Sequence, residues 1–423
     1  MVLARAVALG FSPLDEELGL LPGKLTPRLQ QSVVRMGAWM PFERAAGELE
    51  YLLGVELSEP RVRRLTEKAG AAMVRVQETE VERLEREAPR APAGPALQSM
   101  SVDGAMVPLV GREWTEVKTL ALGEVTMEWE KRRGEEVIKT SELSYFSRSL
   151  ESEEFARQAL VETHRRGVEG AGKVCAVCDG AEWEQKFIDY HRPDAVRVLD
   201  FPHGAQYVAA VGRSVYGEQS AEFQQWFEKQ RHQLRHGAEE EVLAELRRLA
   251  QQALGSRELI EDSLQYLQKR REMIRYEEFV AAGYPIGSGS VESANKVVIQ
   301  ARMKQAGMHW ARENVNPMAA LRTVACNDRW EEAWPQISAQ FQHERLRQRL
   351  HKHPPPLPTL PEGMADEKKK APLLEVTPPK TSSGKDQKRG RKGSRPAPDH
   401  PWRKFSFGKG RFRNSTKGNR AKS

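Results

Sequence analysis

The chain has 423 residues, 39% hydrophobic and 30% charged, with a mean hydropathy of −0.64. That is room for two or three domains with a polar surface, and no run of about 18 apolar residues is present to cross a membrane. Net charge is +7 but unevenly spread: Ala371–Ser423 holds fifteen Lys and Arg against three Asp and Glu, which leaves the rest of the chain at −5.

Met1–Phe11 is apolar but lacks the length and small-residue cleavage pattern of a secretion signal. Three cysteines, Cys175, Cys178 and Cys326, cannot build a disulfide framework and suit a reducing compartment, so a cytoplasmic location is expected. From Leu25 to Leu84 the pattern is helical, with Phe42, Ala45, Ala46, Leu49, Leu52 and Leu53 at helical spacing. Gly54 reads as a C-cap, Ser58 as an N-cap and Pro60 as a first-turn residue of the next helix, which opens with Arg61, Arg63 and Arg64. Helix, glycine turn and basic helix start suit a helix-turn-helix; an ordinary helical hairpin with a solvated basic face has the same pattern. Residues 1–96 are therefore taken as an N-terminal helical DNA-binding domain, closed by the proline-broken linker Glu87–Ala96.

Texture then changes. Ser99–Leu109, Glu113–Val125 and Leu143–Arg148 alternate as strands do, Glu151–Arg166 is helical, and Val174–Cys178 and Ala195–Leu199 are short apolar runs of the buried-strand kind. Three strands, a helix, a strand and a further strand–helix pair predict an α/β fold with a mixed sheet, in the order of an RNase H-like core (97–218). Residues 219–283 read as an all-helical, highly charged insertion. Residues 284–345 return to the core with a turn-rich segment, Gly283–Ser290, and helices over Val291–Lys304, Met318–Asn327 and Asp328–Gln342. Residues 346–423 are proline-rich and then basic, without periodicity, and are expected to be disordered. A tail of that charge suits sequence-independent phosphate contact, or solubility alone.

Three carboxylates stand out. Asp103 and Asp179 each end an apolar strand and precede a glycine, as befits a site at the carboxyl end of a sheet. Adjacent carboxylates repel, and a divalent cation resolves that; two turn aspartates would look the same from sequence. Glu292 lies in the first turn of a helix behind Gly287-Ser288-Gly289-Ser290, whose small residues would let the helix approach the sheet, with Asn295 and Lys296 on the same face. Asp200 and His203 end the next strand and read as supporting groups or a substrate contact, and for His203 a structurally satisfied histidine reads equally well. Cys175 and Cys178 have CxxC spacing, yet on a strand their sulfurs point to opposite faces, so they are read as core residues.

With these residues in place, the chain resembles the DDE transposases of bacterial insertion sequences, in particular the ISKra-type group and its Mutator-like relatives. Phe11–Leu21 (FSPLDEELGLL) is similar to the group's opening segment and Phe42–Ala69 to its helix-turn-helix. Ser101–Ala105 (SVDGA), Val177–Trp183 (VCDGAEW) and Val198–His203 (VLDFPH) resemble successive motifs of the group. Pro285–Lys296 (PIGSGSVESANK) resembles the glutamate motif and Arg302–Trp310 (RMKQAGMHW) the basic-aromatic element behind it. Family members often carry a cysteine-containing zinc-binding segment ahead of the position of Phe11, and only Met1–Gly10 precede it here, so an N-terminally shortened copy is expected.

The resemblance implies a catalytic and metal-binding triad of Asp103, Asp179 and Glu292, with Asp200 as competitor for the second place. It implies two Mg²⁺ (or Mn²⁺) ions about 4 Å apart, Asp103 bridging them and Asp179 and Glu292 holding one each. Arg302, Lys304 and Trp310 become candidate DNA contacts beside Arg61, Arg63 and Arg64. The expected partners are double-stranded DNA, as element ends and target, and further copies of the chain in a nucleoid-associated assembly. A nuclease on the same core, cutting without strand transfer, and an inactive DNA-binding relic or regulator are the two other classes.

Overall fold

A computed structural model describes residues 25–352, apart from 133, 253 and 254. The Phe11–Leu21 segment and the basic tail lie outside the described residues. Helices α1 (Pro27–Trp39), α2 (Phe42–Leu53) and α3 (Glu59–Glu87) precede three long strands, β1 (Leu97–Pro108), β2 (Trp114–Glu130) and β3 (Glu135–Arg148). The chain then alternates through α4 (Ser152–Arg165), β4 (Lys173–Cys178), α5 (Glu182–His191), β5 (Val196–Leu199) and α6 (Phe201–Tyr216). Four helices follow, α7 (Ala221–Arg235), α8 (Glu239–Gln251), α9 (Arg257–Lys269) and α10 (Tyr276–Ala281). Next is α11 (Gly289–Ala294), which runs through a π-helical stretch (Asn295–Gln300) into α12 (Ala301–Met303). Last come α13 (Arg312–Cys326) and α14 (Trp330–Lys352), the latter passing the expected boundary at 345. No helix among the described residues is long and apolar enough to cross a membrane.

The strands form one mixed sheet in the order β3-β2-β1-β4-β5, antiparallel across β3, β2 and β1 and parallel across β1, β4 and β5. Alternation along each strand divides the core. Met100 and Val102 of β1, Leu120 and Leu122 of β2 and Cys178 of β4 pack on one face against Phe155 and Ala159 of α4 and Phe187 and Ile188 of α5. On the other face Ala105 and Val107 of β1 meet Val291, Ala294, Val298 and Ile299 of the α11–π segment, while Cys175 and Val177 of β4 meet α6 and the helices after it. The result is an α/β arrangement with helices on both faces of the sheet.

Two boundaries differ from expectation for physical reasons. The strand expected over Leu143–Arg148 is only the buried end of β3. Its first half, Glu135–Glu142, is polar and lies on the outer part of the hairpin with β2, where no apolar alternation is required. The helices of 219–283 do not form a core of their own: Leu234, Leu243, Leu246, Leu249, Ile260 and Leu267 share one cluster with Val198, Leu199 and Val208. They cover the sheet rather than hang from it.

The N-terminal helices likewise do not stand apart. Val34, Ala38, Ala69 and Met73 are buried with Leu321, Trp330 and Ile337 of α13 and α14. Helix α3 comes so close to α13 that a Cβ on Gly70 would lie 2.3 Å from the Pro317 carbonyl oxygen. Gly54 ends α2 in the left-handed region, at φ 63°, as the C-cap reading requires.

Cys175 and Cys178 are buried on opposite faces of β4, as the CxxC spacing on a strand implies. Burial pushes the Cys175 thiol up to about 12, and the Cys178 thiol is pushed up as well. Both are expected to stay unmodified when the native protein is treated with iodoacetamide and to react only after denaturation, read by peptide mapping. Labelling of either in the folded protein would contradict this packing.

Candidate active site

The sheet opens a crevice between β1 and β4. The two strands pair in parallel as far as Met100 and Ala176; β4 then ends at Cys178, while β1 continues to Pro108. Asp103 and Asp179 each lie three residues beyond that last pair, so register alone sets them level at the mouth of the crevice. Here the order of the strands reverses, since β2 and β3 were added on one side of β1 and β4 and β5 on the other, and such a switch point is the usual place for a site in an open sheet.

The two aspartates reach that place differently. Asp179 follows the end of β4, and Gly180 turns the chain out at φ 78°, a backbone setting that favours glycine. Asp103 is not at a strand end: it sits within β1 opposite Thr119, and Gly104 continues the ladder opposite Lys118. The expected sharp exit after Asp103 is thus absent, and its carboxylate is held from the side instead. Oδ1 accepts from the Gly104 amide at 2.6 Å and Oδ2 from Asn295 Nδ2 at 2.8 Å. Burial, then the charge of Asp179, pushes Asp103 up to about 6. Burial, then the charges of Asp200 and Glu292, pushes Asp179 to the same value.

Glu292 is in the first turn of α11, as expected, with its carboxylate exposed and 3.9 Å from Lys296 Nζ. A Cβ on Gly287 or Gly289 would meet nothing within 4 Å, so these glycines do not mediate close packing on the sheet; they leave open space beside Glu292. Directly after α11 the helix widens into the π-helical stretch, and Asn295 at its start turns inward onto Asp103 while its own Oδ1 is buried without a partner. Widening of this kind recurs at functional sites, because it re-aims side chains at the cost of regular hydrogen bonds.

Asp200 has both carboxylate oxygens engaged with backbone amides. Its Oδ2 caps α6 by accepting from the His203 amide at 2.9 Å, and its Oδ1 accepts from the Ser288 amide at 2.7 Å, which ties β5 to the loop that leads to Glu292. His203 reaches Asp179, Nδ1 to Oδ2 at 3.8 Å. Burial pushes this imidazole down, with Arg270 adding to the effect and the Asp200 and Asp103 charges opposing it.

The basic candidates divide. Arg302 and Trp310 are buried, which corrects their reading as DNA contacts. The Arg302 guanidinium lies between the Phe42 and Trp310 rings, 4.6 and 5.1 Å from their centroids, and donates to the Gly37 carbonyl at 3.0 Å. Trp310 pairs with the end of β1 and donates from Nε1 to Met303 O at 3.0 Å. A cationic residue beside a tryptophan describes a surface platform and an internal stack equally well, so sequence could not separate them. Lys304, Lys296, Arg63 and Arg64 remain exposed, and Arg61 is half-buried.

No protein-family model and no curated protein matches the chain. Its chemistry is therefore argued from the site itself.

Several groups at the site carried no sequence signal of their own. Glu184, in the first turn of α5, is buried, and burial followed by the charges of Asp179 and Asp103 pushes it up to about 8. Its Oε2 accepts from the Ala181 amide at 2.9 Å, so it reads from sequence as a helix-start glutamate. Tyr266 and Arg270, from α9 and its end, close on the Asp179–Gly180 backbone across more than eighty residues of sequence.

Asp103, Asp179 and Glu292, with the unpartnered Asn295 Oδ1, offer oxygen donors alone, which suits a hard divalent cation such as Mg²⁺ or Mn²⁺. Among the described residues no three His, Cys, Asp or Glu side chains are gathered as a ready-made ligand set. The fit thus lies in donor chemistry and in charge crowding, with the Glu292 carboxylate exposed beside Lys296.

Raised carboxylates have a consequence for stability. Both aspartates titrate near 4 in an unfolded chain (~3.9) and at about 6 when folded. Over that window the folded state binds more protons than the unfolded one, so stability is lost as pH rises through about 6. In cation-free buffer the stability difference between wild type and Asp103→Asn should therefore widen in favour of the variant between about pH 4 and 7, read by urea denaturation. A constant difference would show that Asp103 is not strained.

Proposed function

We propose that this chain is a metal-dependent DNA transposase of the DDE kind on an RNase H-like core, with Asp103, Asp179 and Glu292 as its acidic triad. The observation that carries this reading is the level placement of Asp103 and Asp179 at the crevice between β1 and β4, with the helix of Glu292 latched to Asp103 through Asn295. A mixed five-stranded sheet in the order β3-β2-β1-β4-β5 is compatible with such a core and supports the reading. The α2–α3 pair, with Arg63 and Arg64 exposed at the start of α3, serves as the DNA-reading hairpin.

Asp103, Asp179 and Glu292 would hold Mg²⁺, which when bound would supply water activation and charge stabilisation at the phosphate. The protein's own part is positional. Asn295 fixes one Asp103 oxygen, Asp200 anchors the loop before Glu292, and the space over Gly287 and Gly289 admits a sugar-phosphate backbone. Lys296 and Lys304 stand exposed near the same helix and supply positive charge for the phosphates.

Labelled element ends incubated with target DNA and Mg²⁺ test the reading. Joined products are expected; nicks alone would make the chain a nuclease, and binding without cleavage a regulator. Glu292→Gln is expected to lose cleavage and joining while DNA affinity stays within about twofold, since neutralising one carboxylate leaves every basic phosphate contact in place. Cleavage that survives this change sinks the triad assignment.

A further inference from the structure

We propose that Tyr266 and Arg270, supplied by the helical region that follows the sheet, are positioning residues that set the Asp179 carboxylate for cation binding. This deepens the triad reading above and rests on it.

The turn after β4 is gripped at two consecutive carbonyls. Tyr266 Oη donates to the Asp179 carbonyl, and Arg270 donates to the Gly180 carbonyl from Nε at 3.1 Å and also from Nη2. Arg270 completes the clamp by donating from Nη1 to Tyr266 O at 3.1 Å, and its guanidinium lies flat on the Tyr266 ring, 3.6 Å from the centroid. Tyr266 in turn stacks on Tyr207, with centroids 3.9 Å apart and planes 10° apart. His203 meets both rings edge-on, at 5.4 and 6.0 Å, and presents Nδ1 to Asp179. One stack thus holds the main chain that leaves Asp179 and aims an imidazole at its side chain.

Gly180 supports the clamp independently. A Cβ there would lie 2.4 Å from Arg270 Nε, and φ is 78°, so the Asp-Gly pair fits the arginine as well as the turn. Arg270 pairs with no carboxylate in its hydrogen bonds; it spends its donors on carbonyls, as a group that fixes backbone does. Outer groups that orient metal ligands change affinity by about 10- to 100-fold when removed.

Three variants, Tyr266→Phe, Arg270→Lys and Arg270→Ala, separate positioning from folding. Tyr266→Phe removes a hydroxyl and keeps the stack, and Arg270→Lys keeps the charge but loses the fork. Mn²⁺ titrated into full-length protein without DNA, read as the shift in Tm, gives an affinity independent of catalysis. We expect Tyr266→Phe and Arg270→Ala to weaken Mn²⁺ binding by roughly tenfold or more, with Arg270→Lys intermediate and DNA affinity near wild type. In cleavage assays their kcat should fall and recover in part at high Mn²⁺, while KM for DNA stays unchanged. If Tyr266→Phe and Arg270→Ala bind Mn²⁺ and cut DNA like wild type, the clamp is not positioning and the inference is overturned while the transposase reading stands. If wild type binds Mn²⁺ through Asp103, the variants bind it weakly and no protein cuts DNA, the inference survives and the transposase reading fails.

Discussion

Asp103→Asn is expected to abolish DNA cleavage, by about a thousandfold or more, and at the same time to raise the melting temperature of the cation-free protein at neutral pH. The first effect follows from losing a carboxylate that contributes several kcal/mol of charge stabilisation through a bound cation, since about 4 kcal/mol is three powers of ten in rate. The second follows from surroundings that already push the Asp103 carboxylate up to about 6, through burial and the Asp179 charge. Asparagine keeps the shape, still accepts from the Gly104 amide through its own oxygen, donates to Asn295 Oδ1 once that side-chain amide turns over, and removes the repulsion. Only an active-site acid gives opposite signs for activity and stability, because a carboxylate kept for structure would lower both when neutralised. Differential scanning calorimetry with and without Mn²⁺, beside a cleavage assay, reads both; a fall in Tm with activity retained would remove Asp103 from the site. The cation-induced rise in Tm should also disappear in the variant.

Arg322→Ala should be the most damaging change away from the triad, costing on the order of 3 kcal/mol. Arg322 is buried in α13, and its guanidinium donates to Val298 O at 3.1 Å, to Val297 O and to Ala38 O at 3.2 Å. Those carbonyls belong to the π-helical stretch and to the end of α1, where regular i→i+4 bonding is interrupted. Removing the donor leaves up to three carbonyls short of a partner and a cavity against the Trp39 ring, now 4.3 Å from the guanidinium carbon. Urea denaturation measures the loss, and a change under about 1 kcal/mol would show that water replaces the guanidinium at no cost. Arg322→Met, which fills the volume without donors, should recover only part of the stability.

Those same residues show what was legible in sequence. The strands that carry Asp103 and Asp179, and the helix start that carries Glu292, follow from alternation and from glycine punctuation, because burial imposes a period of two or 3.6 on the apolar residues. The opposed cysteines of β4 follow from strand geometry alone. What sequence hid depends on contacts between distant segments. Asp200 could not be told from a metal ligand until its oxygens were found on the His203 and Ser288 amides. Arg302 and Trp310 carry the composition of a DNA platform and are spent inside the fold, under Phe42. The π-helical widening at Asn295 has no composition that announces it, and neither does the reach of Tyr266 and Arg270 back to β4. The glycines beside Asp103 and before Glu292 were expected to shape turns or packing, yet Gly104 lies in the ladder and Gly287 and Gly289 border open space.

That the helices after β5 share one core with the sheet bears on how the protein is made. As the chain leaves the ribosome, β1 to β5 are complete by Leu199, but the apolar side of β4 and β5 stays bare until Leu234 to Phe279 have followed. Glu292 emerges later still, and the α13 and α14 surface against which α1 and α3 pack comes last. A nascent or prematurely ended chain therefore exposes a sticky sheet and holds two acids without the third. Until those later helices are made the sheet has no apolar cover, so products that stop early are expected to aggregate or be degraded rather than to persist as folded fragments.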